Sequence, residues 1–295
     1  MKISVHITLF IKKNKNQKLK EFKKIYESFF TLSKNTKIFV HTNVKIKDFR
    51  KNLNFIYHDI SQEDPYRLTW KCRSMMELQK DSFDYFIYSE DDTLFTKKNF
   101  NYWLKNKTYL NKNKYNLGFV RVEKSQIDNS LWTTDQFVQL DEYIVLNKKK
   151  FIVLKNPYFA MWIYDKLEFN NFIKSKFWNL HNWRGLNSFT KLYDREKSAV
   201  GWHGLNMNRY IATVIPLNNK KVPNSCLINH TSNKYVTERG RIHVSLKNLI
   251  KKDIHLFKKP NFSKFEIIYR EVIFFIYWNL RFNFKTIKKK ILKKY

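Results

Sequence analysis

The sequence predicts an α/β fold in which a mixed, mainly parallel sheet is flanked by helices. Short apolar segments rich in β-branched and aromatic residues alternate with amphipathic helical segments. This order is typical of parallel strands joined by right-handed crossovers. One of the strands, around residues 83–88, ends in an acidic triplet, Glu90, Asp91 and Asp92. Ligands of open α/β sheets collect at the carboxyl ends of such strands.

The N-terminal elements follow from the spacing of apolar residues. Residues 3–11 predict the first strand, and residues 36–42 and 54–59 predict the second and third. A helix is predicted over residues 18–30, because apolar side chains recur there at helical intervals. These side chains are Leu19, Phe22, Ile25, Tyr26 and Phe29. Together the elements predict the start of a parallel β-α-β arrangement.

A second helix is predicted over residues 65–79, with Asp64 as its N-cap and Pro65 at the first helical position. Its apolar face packs on the sheet, which leaves Arg67, Lys71 and Arg73 free to meet an anion. The alternative is that these three basic residues form only a solvated helix face.

The remaining elements are shorter. We expect helices over residues 97–106 and 166–177, a strand over 116–123, a hairpin from 143–146 and 151–154, and strands at 213–217 and 226–230. Residues 182–210 hold three of the five glycines beside Trp183, Trp202 and His203. Glycines next to aromatic faces indicate close contact with a ligand such as a sugar, or else an irregular loop with an aromatic core.

The acidic triplet carries the strongest functional signal. Adjacent carboxylates repel one another at neutral pH unless a cation neutralises them, and the chain has only 25 acidic residues against 57 Lys and Arg. Mg²⁺ and Mn²⁺ prefer carboxylate and phosphate oxygens, so the triplet predicts a divalent metal site. The alternative is a solvated turn that caps the helix beginning near Lys97.

The composition indicates which classes of partner and which cellular compartment to expect. The formal charge of +32 suggests a polyanionic partner or an anionic membrane surface, although the abundance of Lys, Asn and Ile also matches an A/T-rich coding sequence. Cys72 and Cys226 are too few for a disulfide framework, which favours a reducing, cytoplasmic compartment. Residues 1–11 match a first strand rather than a secretory signal, and no apolar run reaches the roughly 20 residues of a bilayer span.

The C-terminal 55 residues differ in composition, with 15 Lys and Arg against three acidic residues. We therefore predict a catalytic domain over residues 1–240 and a basic amphipathic helical region over residues 241–295. Apolar residues between Phe262 and Leu280 recur with helical spacing. Such a helix suits peripheral attachment to the anionic inner face of a membrane, and equally suits packing on its own domain.

The order strand, helix, strand, strand, helix, then a strand ending in the acidic triplet resembles the nucleotide-diphosphate-sugar-binding half of GT-A glycosyltransferases, with the triplet in place of their DxD motif. Residues 65–73 and 228–235 look like segments of poorly characterised bacterial members. The resemblance implies a Rossmann-like GT-A fold. It also implies a metal-dependent, hexosyltransferase-like enzyme that moves a sugar from a nucleotide-diphosphate donor to a surface glycan or lipid-linked acceptor.

The resemblance also assigns site residues. Asp92 would ligate Mn²⁺ or Mg²⁺ directly, Glu90 would touch the metal or the ribose, and His230 would add a further metal contact, although a lone histidine at a strand end is otherwise structural. Glu90 departs from the usual Asp of the motif. The other binding candidates are charged residues near the third and fourth strands: Asp59, Asp64, Arg67, Lys71, Arg73 and Asp91.

An inverting transferase also needs a carboxylate within reach of the acceptor hydroxyl. Glu196 is the first candidate and Asp165 the second; a retaining enzyme uses neither in this role. Two other functions stay open: a nucleic-acid-binding protein, suggested by charge and aromatic content, and a metal-dependent nuclease or phosphotransferase. We expect no nucleic-acid partner, because the acidic triplet has no role in plain phosphate binding.

Overall fold

A computed structural model describes residues 1–47, 51–179, 194–202, 210–237 and 243–258. The strands within these ranges are β1 (Lys2–Leu9), β2 (Asn35–Thr42), β3 (Leu53–Tyr57), β4 (Tyr85–Glu90), β5 (Thr93–Leu94), β6 (Tyr115–Leu117), β7 (Val120–Lys124), β8 (Leu131–Thr133), β9 (Leu140–Leu146), β10 (Lys149–Val153), β11 (Met161–Asp165), β12 (Ala212–Pro216), β13 (Leu227–His230) and β14 (Ile250–Leu256). The α-helices are α1 (Lys15–Phe30), α2 (Arg73–Leu78), α3 (Lys97–Lys112), α4 (Lys166–Ile173), α5 (Asp194–Val200) and α6 (Lys234–Thr237).

The first sheet has the strand order β11-β4-β1-β2-β3. Strands β1 to β4 are parallel, and β11 is antiparallel to β4. Helix α1 buries an apolar face that includes Phe22, Ile25 and Phe29 in the same core as the β1 side chains. This parallel sheet with a packed helix confirms the predicted α/β class, and it brings the carboxyl ends of β1 and β4 side by side.

Two further sheets complete the described part of the chain, with strand orders β14-β9-β10-β12-β6 and β5-β13-β7-β8. The antiparallel pair β9–β10 confirms the predicted hairpin. The single strand predicted over residues 116–123 is wrong, because β6 and β7 lie in different sheets on either side of Gly118. A Cβ at Gly118 would lie 2.6 Å from Leu154 Cδ1 and 2.7 Å from Thr213 Cγ2, so glycine allows the chain to cross here.

The single helix predicted over residues 65–79 is also divided. Pro65–Trp70 forms a 3₁₀ helix, and α2 begins three residues later. Asp64 is the N-cap as predicted, since its side chain accepts a hydrogen bond from the Tyr66 backbone N–H at 2.9 Å. The Thr69 hydroxyl donates to the Tyr66 carbonyl at 2.8 Å. This local bond competes with continuous α-helical pairing.

The predicted division at residue 240 stays a prediction, although described residues beyond it take part in the second sheet. Strand β14 pairs with β9 in the second sheet, and Leu249 just before it is fully buried. The apolar helix predicted between Phe262 and Leu280 lies outside the described residues. Of the helices that are described, none is both long and apolar enough to cross a bilayer.

A chain of three histidines crosses the first sheet. His6 Nδ1 lies 2.9 Å from His41 Nε2, and His41 Nδ1 lies 2.9 Å from His58 Nε2. His6 Nε2 lies 3.1 Å from Gln79 Oε1, which only accepts hydrogen bonds. With Gln79 as the acceptor, Nε2 of each ring is the donor, and Nδ1 of His6 and of His41 accepts the hydrogen bond of the next ring, as a neutral imidazole does. Burial lowers the pKa of His6 to about 3 and that of His41 to about 2.

This chain predicts acid sensitivity. An unfolded histidine takes up a proton below about pH 6.5, whereas the buried rings stay neutral, so the free energy of unfolding falls as the pH drops below that value. Two such rings give a slope of up to about 3 kcal/mol per pH unit. Urea unfolding between pH 7.5 and 5 measures this slope. His41→Gln should make it clearly shallower, while the exposed control His255→Gln should keep it; equal slopes in all three proteins would refute the expectation.

Candidate active site

A cavity of about 250 Å³ lies at the carboxyl ends of β1 and β4 and is lined by the whole acidic triplet. The register that pairs Thr8 with Glu90 sets this position. The cavity also contains three basic side chains, Lys18, Arg195 and Lys234. The solvated-cap alternative is excluded, because α3 is capped by its own residues: Thr96 and Asn99 form a reciprocal capping box.

Glu90 is 7% exposed and held from two sides. The Tyr158 hydroxyl donates to Glu90 Oε1 at 2.8 Å, and Arg195 Nε lies 3.9 Å from the same oxygen. Burial raises the pKa of Glu90 to about 7, with the Asp92 charge adding to the rise and Arg195 opposing it. A cation in the cavity would favour the ionised form.

Asp91 is paired with the first helix. Lys18 Nζ lies 3.0 Å from Asp91 Oδ2. Burial and the neighbouring Asp92 charge raise the pKa of Asp91 to about 6, and Lys18 opposes the shift. The ion pair closes one wall of the cavity, since it ties the first turn of α1 to the end of β4.

Asp92 is fixed by the third sheet. His230 Nε2 lies 2.9 Å from Asp92 Oδ2, and His230 Nδ1 is bonded to Glu123 Oε1. The Thr231 N–H donates to the Asp92 carbonyl at 2.8 Å. Burial favours the neutral acid, but the hydrogen bond and charge of His230 outweigh it and hold the pKa of Asp92 well below its usual range. The two carboxylates likewise raise the pKa of His230 against the effect of burial.

A second buried pair lies behind these groups. Arg121 donates to both carboxylate oxygens of Asp135 at 2.9 Å, and its guanidinium lies over the Tyr158 ring at 5.3 Å. Its charge helps to hold Asp92 ionised. The ionic layer beneath the cavity therefore extends through β7 to the turn after β8.

The residues present fit a divalent cation. Asp92 Oδ1 is buried and has no hydrogen-bond partner among the described groups, an arrangement that is costly without a ligand. Mg²⁺ sites of phosphate enzymes use only one or two protein carboxylates, with substrate phosphates and water supplying the rest. The described residues contain no group of three or more His, Cys, Asp or Glu side chains that could hold a metal ion, so substrate phosphates and water would have to complete the coordination. Both nitrogens of His230 face carboxylates, so His230 holds Asp92 instead of offering a free metal ligand.

The predicted nucleotide contacts are only partly brought together. Pro65 and Tyr66 line the cavity directly after Asp64, while Arg67 is partly exposed and does not line it. Lys71 is paired with Glu63. Asp59 is exposed and accepts a hydrogen bond from the Ser61 N–H at 3.0 Å.

Arg73 is not free to meet an anion, and that prediction is wrong. Its guanidinium is buried among aromatic rings, 4.4 Å from the Trp178 centroid and 4.8 Å from that of Trp70. One nitrogen donates to the Ser198 carbonyl at 3.1 Å. Division of the predicted helix after Trp70 leaves Arg73 on the inner side of α2, where helical spacing had placed a surface residue.

The two candidate bases lie in different places. Asp165 pairs with Tyr85 in the antiparallel register of β11 and β4, so it lies at the opposite end of the strand from Glu90, about 17 Å away. There it caps α4 and pairs with Lys107. Asp165 is therefore excluded as the base. Glu196 lies on α5 next to Arg195, which lines the cavity.

The segment 182–210 lies largely outside the described residues, and its sugar-binding role is tested only at Gly201. Gly201 has φ of 63°, and a Cβ there would lie 2.5 Å from the Tyr164 hydroxyl oxygen and 2.9 Å from Trp162. Glycine is therefore required at this position because side chains of the protein itself approach its backbone closely, and no ligand is needed to explain it.

Sequence reasoning missed several residues of the site. The sequence predicts only that Lys18 begins a helix and that Glu123 ends a strand, and it gives Tyr158 no role. Glu123 offered one signal, because it is an acidic residue at the end of a predicted strand, as Glu90 is. Its pairing with His230 depends on the parallel contact of β7 with β13, which joins residues 107 positions apart.

Comparisons with known proteins add structural likeness only. No family model matches the chain, and no curated protein matches it. Residues 1–349 of TarS from S. aureus are similar over 79% of this chain and 61% of that one, with 13% identity and a TM-score of 0.36. The same fragment in complex with UDP-GlcNAc gives 14% identity and a TM-score of 0.33 over 80% of this chain and 62% of that one.

A glycosyltransferase involved in glycosylation of the major capsid of PBCV-1 is similar over 66% of this chain and 73% of that one, with 13% identity and a TM-score of 0.27. The chain spans less than two thirds of the TarS fragment, 61% of its length. The function proposed below rests on the cavity and its side chains.

The tie between His230 and its two carboxylates predicts a large stability effect. His230→Ala leaves Asp92 and Glu123 buried without their partner, and breaking such a buried pair costs about 3 kcal/mol or more. Urea unfolding at pH 7 measures the change. Adding Glu123→Gln to His230→Ala should restore part of the loss, because it removes one uncompensated charge. The exposed control His255→Ala should leave stability unchanged, and a His230→Ala protein as stable as this control would contradict the assignment.

Proposed function

We propose that the chain is a metal-dependent glycosyltransferase of the GT-A type, which transfers a sugar from a nucleotide-diphosphate donor to a glycan or lipid-linked acceptor. One observation supports this most directly. The cavity is lined by Asp92, whose buried Oδ1 has no hydrogen-bond partner among the described residues, and by Lys18, Arg195 and Lys234. A divalent cation carried by a diphosphate satisfies both halves of this site, because the metal meets the carboxylate and the phosphates meet the basic side chains.

Asp92 and Glu90 are the residues that would hold Mn²⁺ or Mg²⁺. When bound there, the cation would neutralise negative charge that develops on the diphosphate leaving group. His230 fixes the direction of the Asp92 carboxylate through Oδ2, while Oδ1 has no hydrogen-bond partner among the described residues. Tyr158 orients Glu90 in the same way by donating from its hydroxyl to Glu90 Oε1. These buried hydrogen bonds hold the carboxylates in place before any ligand binds, which reduces the cost of binding.

The basic side chains of the cavity are the candidates for binding the diphosphate. Lys18 and Arg195 each face a carboxylate at present, and a bound diphosphate would compete for them. Lys234 opens α6 on the third side of the cavity. A volume of about 250 Å³ suits a diphosphate rather than a whole nucleotide sugar. The nucleoside would therefore extend past Pro65 and Tyr66, where Asp64 is the ribose candidate.

Acceptor activation is assigned to Glu196. Arg195, its neighbour on α5, lines the cavity and lies 3.9 Å from Glu90, so Glu196 follows a cavity residue directly in the chain. In an inverting reaction the Glu196 carboxylate would take the proton of the acceptor hydroxyl as that oxygen attacks the sugar.

A cytoplasmic location belongs to the same proposal, since Cys72 and Cys226 are buried, unpaired thiols. Peripheral attachment to a membrane through the basic C-terminal region is proposed on charge alone.

Asp92→Asn tests the central assignment. The variant keeps the shape of the side chain but removes its charge, so metal-dependent hydrolysis of the donor should fall about 100-fold or more. Release of nucleoside diphosphate is measured with Mn²⁺ and a panel of UDP- and GDP-sugars that starts with UDP-GlcNAc, the ligand of the similar TarS fragment. Asp253→Asn, an exposed matched control, should hydrolyse the donor at the wild-type rate. Equal rates in the two variants would overturn the proposal.

Glu196→Gln separates acceptor activation from donor binding. If Glu196 is the base, transfer to an acceptor should fall about 100-fold, the usual contribution of general base catalysis, while the donor Kd stays unchanged. Thermal shift with Mn²⁺ and nucleoside diphosphate measures donor binding, and product formation measures transfer. Glu27→Gln, exposed on α1, serves as the control. Wild-type transfer by Glu196→Gln would exclude this residue as the base.

A further inference from the structure

A second, larger concave surface lies away from the acidic cavity. This groove has a volume of about 1220 Å³ and is built from α3, the β9–β10 turn and the turn after β12. Ser225 lies in its wall, and β13 runs from just beyond Ser225 to His230 at the active site. The four residues of β13, about 10 Å of extended chain, and the 3₁₀ turn at Asn224–Cys226 therefore connect the groove to His230, the partner of Asp92.

The lining of the groove is strongly basic. It contains six lysines and, among the described residues, no acidic side chain: Lys98, Lys105, Lys148, Lys149, Lys150 and Lys220. Like charges on one concave surface raise the local positive potential and attract anions. Some lysines elsewhere are paired with carboxylates, as Lys18 is with Asp91 and Lys107 with Asp165 and Glu168. No ion pair joins the groove lysines to any described acidic residue, although Lys150 Nζ lies 5.0 Å from the centroid of the Tyr143 ring.

Two tight turns hold two of the groove lysines, Lys148 and Lys220, in defined positions. Asn147 and Lys148 have φ of 44° and 63°, and Asn219 and Lys220 have φ of 46° and 58°. Such left-handed pairs form two-residue hairpin turns, in which glycine is usual at the second position. The chain places a lysine there in both turns. Lys220 is further held by donating to the Lys252 carbonyl at 3.0 Å.

The rest of the lining indicates the chemistry of the ligand. Asn101, Asn218 and Asn219 are exposed amides that can bond hydroxyl groups. The aromatic residues of the groove, Tyr102 and Phe151, are 6% and 2% exposed and offer no face for stacking bases. A concave surface also fits a polymer chain better than a flat lipid leaflet.

We propose that this groove binds an anionic glycan, whose charged groups meet the lysines and whose hydroxyls meet the asparagines. This inference rests on the proposed function, because the glycan would be a polymeric acceptor held at a distance from the reacting end. A chain that reaches from the groove to Asp92 has to extend at least along β13, which is about 10 Å long. Acceptors of several sugar units would therefore bind more tightly than single sugars.

The test compares two triple variants of the full chain that lose the same charge. Lys98→Gln, Lys105→Gln and Lys149→Gln remove exposed lysines of the groove, whereas Lys20→Gln, Lys24→Gln and Lys37→Gln remove exposed lysines elsewhere. Dissociation constants are measured at fixed salt for dextran sulfate, polygalacturonate, neutral dextran, a DNA duplex and anionic phospholipid vesicles. Donor hydrolysis with Mn²⁺ is measured in parallel.

The groove variant should bind the two anionic glycans roughly tenfold more weakly than the control variant, as expected for the loss of three exposed charge contacts. Neutral dextran should not bind, and donor hydrolysis should be the same in both variants. Equal glycan binding by the two variants overturns the proposal. A loss confined to DNA or to vesicles also overturns it, in favour of that partner. Absence of donor hydrolysis in the wild type refutes the proposed function, while a selective loss of glycan binding still supports the groove.

Discussion

The hydrogen bonds of His230 with Asp92 and Glu123 are the interaction on which the candidate site depends. Asp92 follows β4 in the first sheet, whereas His230 ends β13 and Glu123 lies on β7 in the third sheet. One imidazole thus joins two sheets at the point where the cavity forms. Because both partners are carboxylates, the ring is stabilised in its charged form, and this charge keeps Asp92 ionised despite burial.

The three carboxylates of the triplet consequently behave differently although they are adjacent in sequence. Asp92 receives the charge of His230, and its pKa is lowered. Glu90 and Asp91 have raised pKa values, because burial and the Asp92 charge outweigh Arg195 and Lys18. Asp92 therefore lines the cavity as an ionised carboxylate, next to two acidic groups whose charge a bound ligand would change. This arrangement suits the proposed cation and its phosphates.

The large positive charge of the chain is distributed in two ways. Some basic side chains are buried inside the fold, where Arg121 pairs with Asp135 and Arg73 packs against aromatic rings such as that of Trp178. Others lie without acidic partners on one concave surface, the lysine groove. A net charge of +32 alone does not distinguish these uses. The fold shows which basic side chains are buried and which lie in the groove without a described acidic partner. Because these lysines share one concave surface, we expect an anionic ligand there.

The sequence by itself determined the α/β class, the first strands and helix, the Asp64 cap and the place of the triplet at a strand end, because these depend on local apolar periodicity and on neighbouring residues. Tertiary structure decided the rest. The pairing of Glu123 with His230 and the exclusion of Asp165 follow from strand order and from the antiparallel direction of β11. The burial of Arg73 follows from the division of the predicted helix after Trp70. Strand order and direction depend on contacts between residues far apart in the chain. The local spacing of apolar residues does not reveal these contacts.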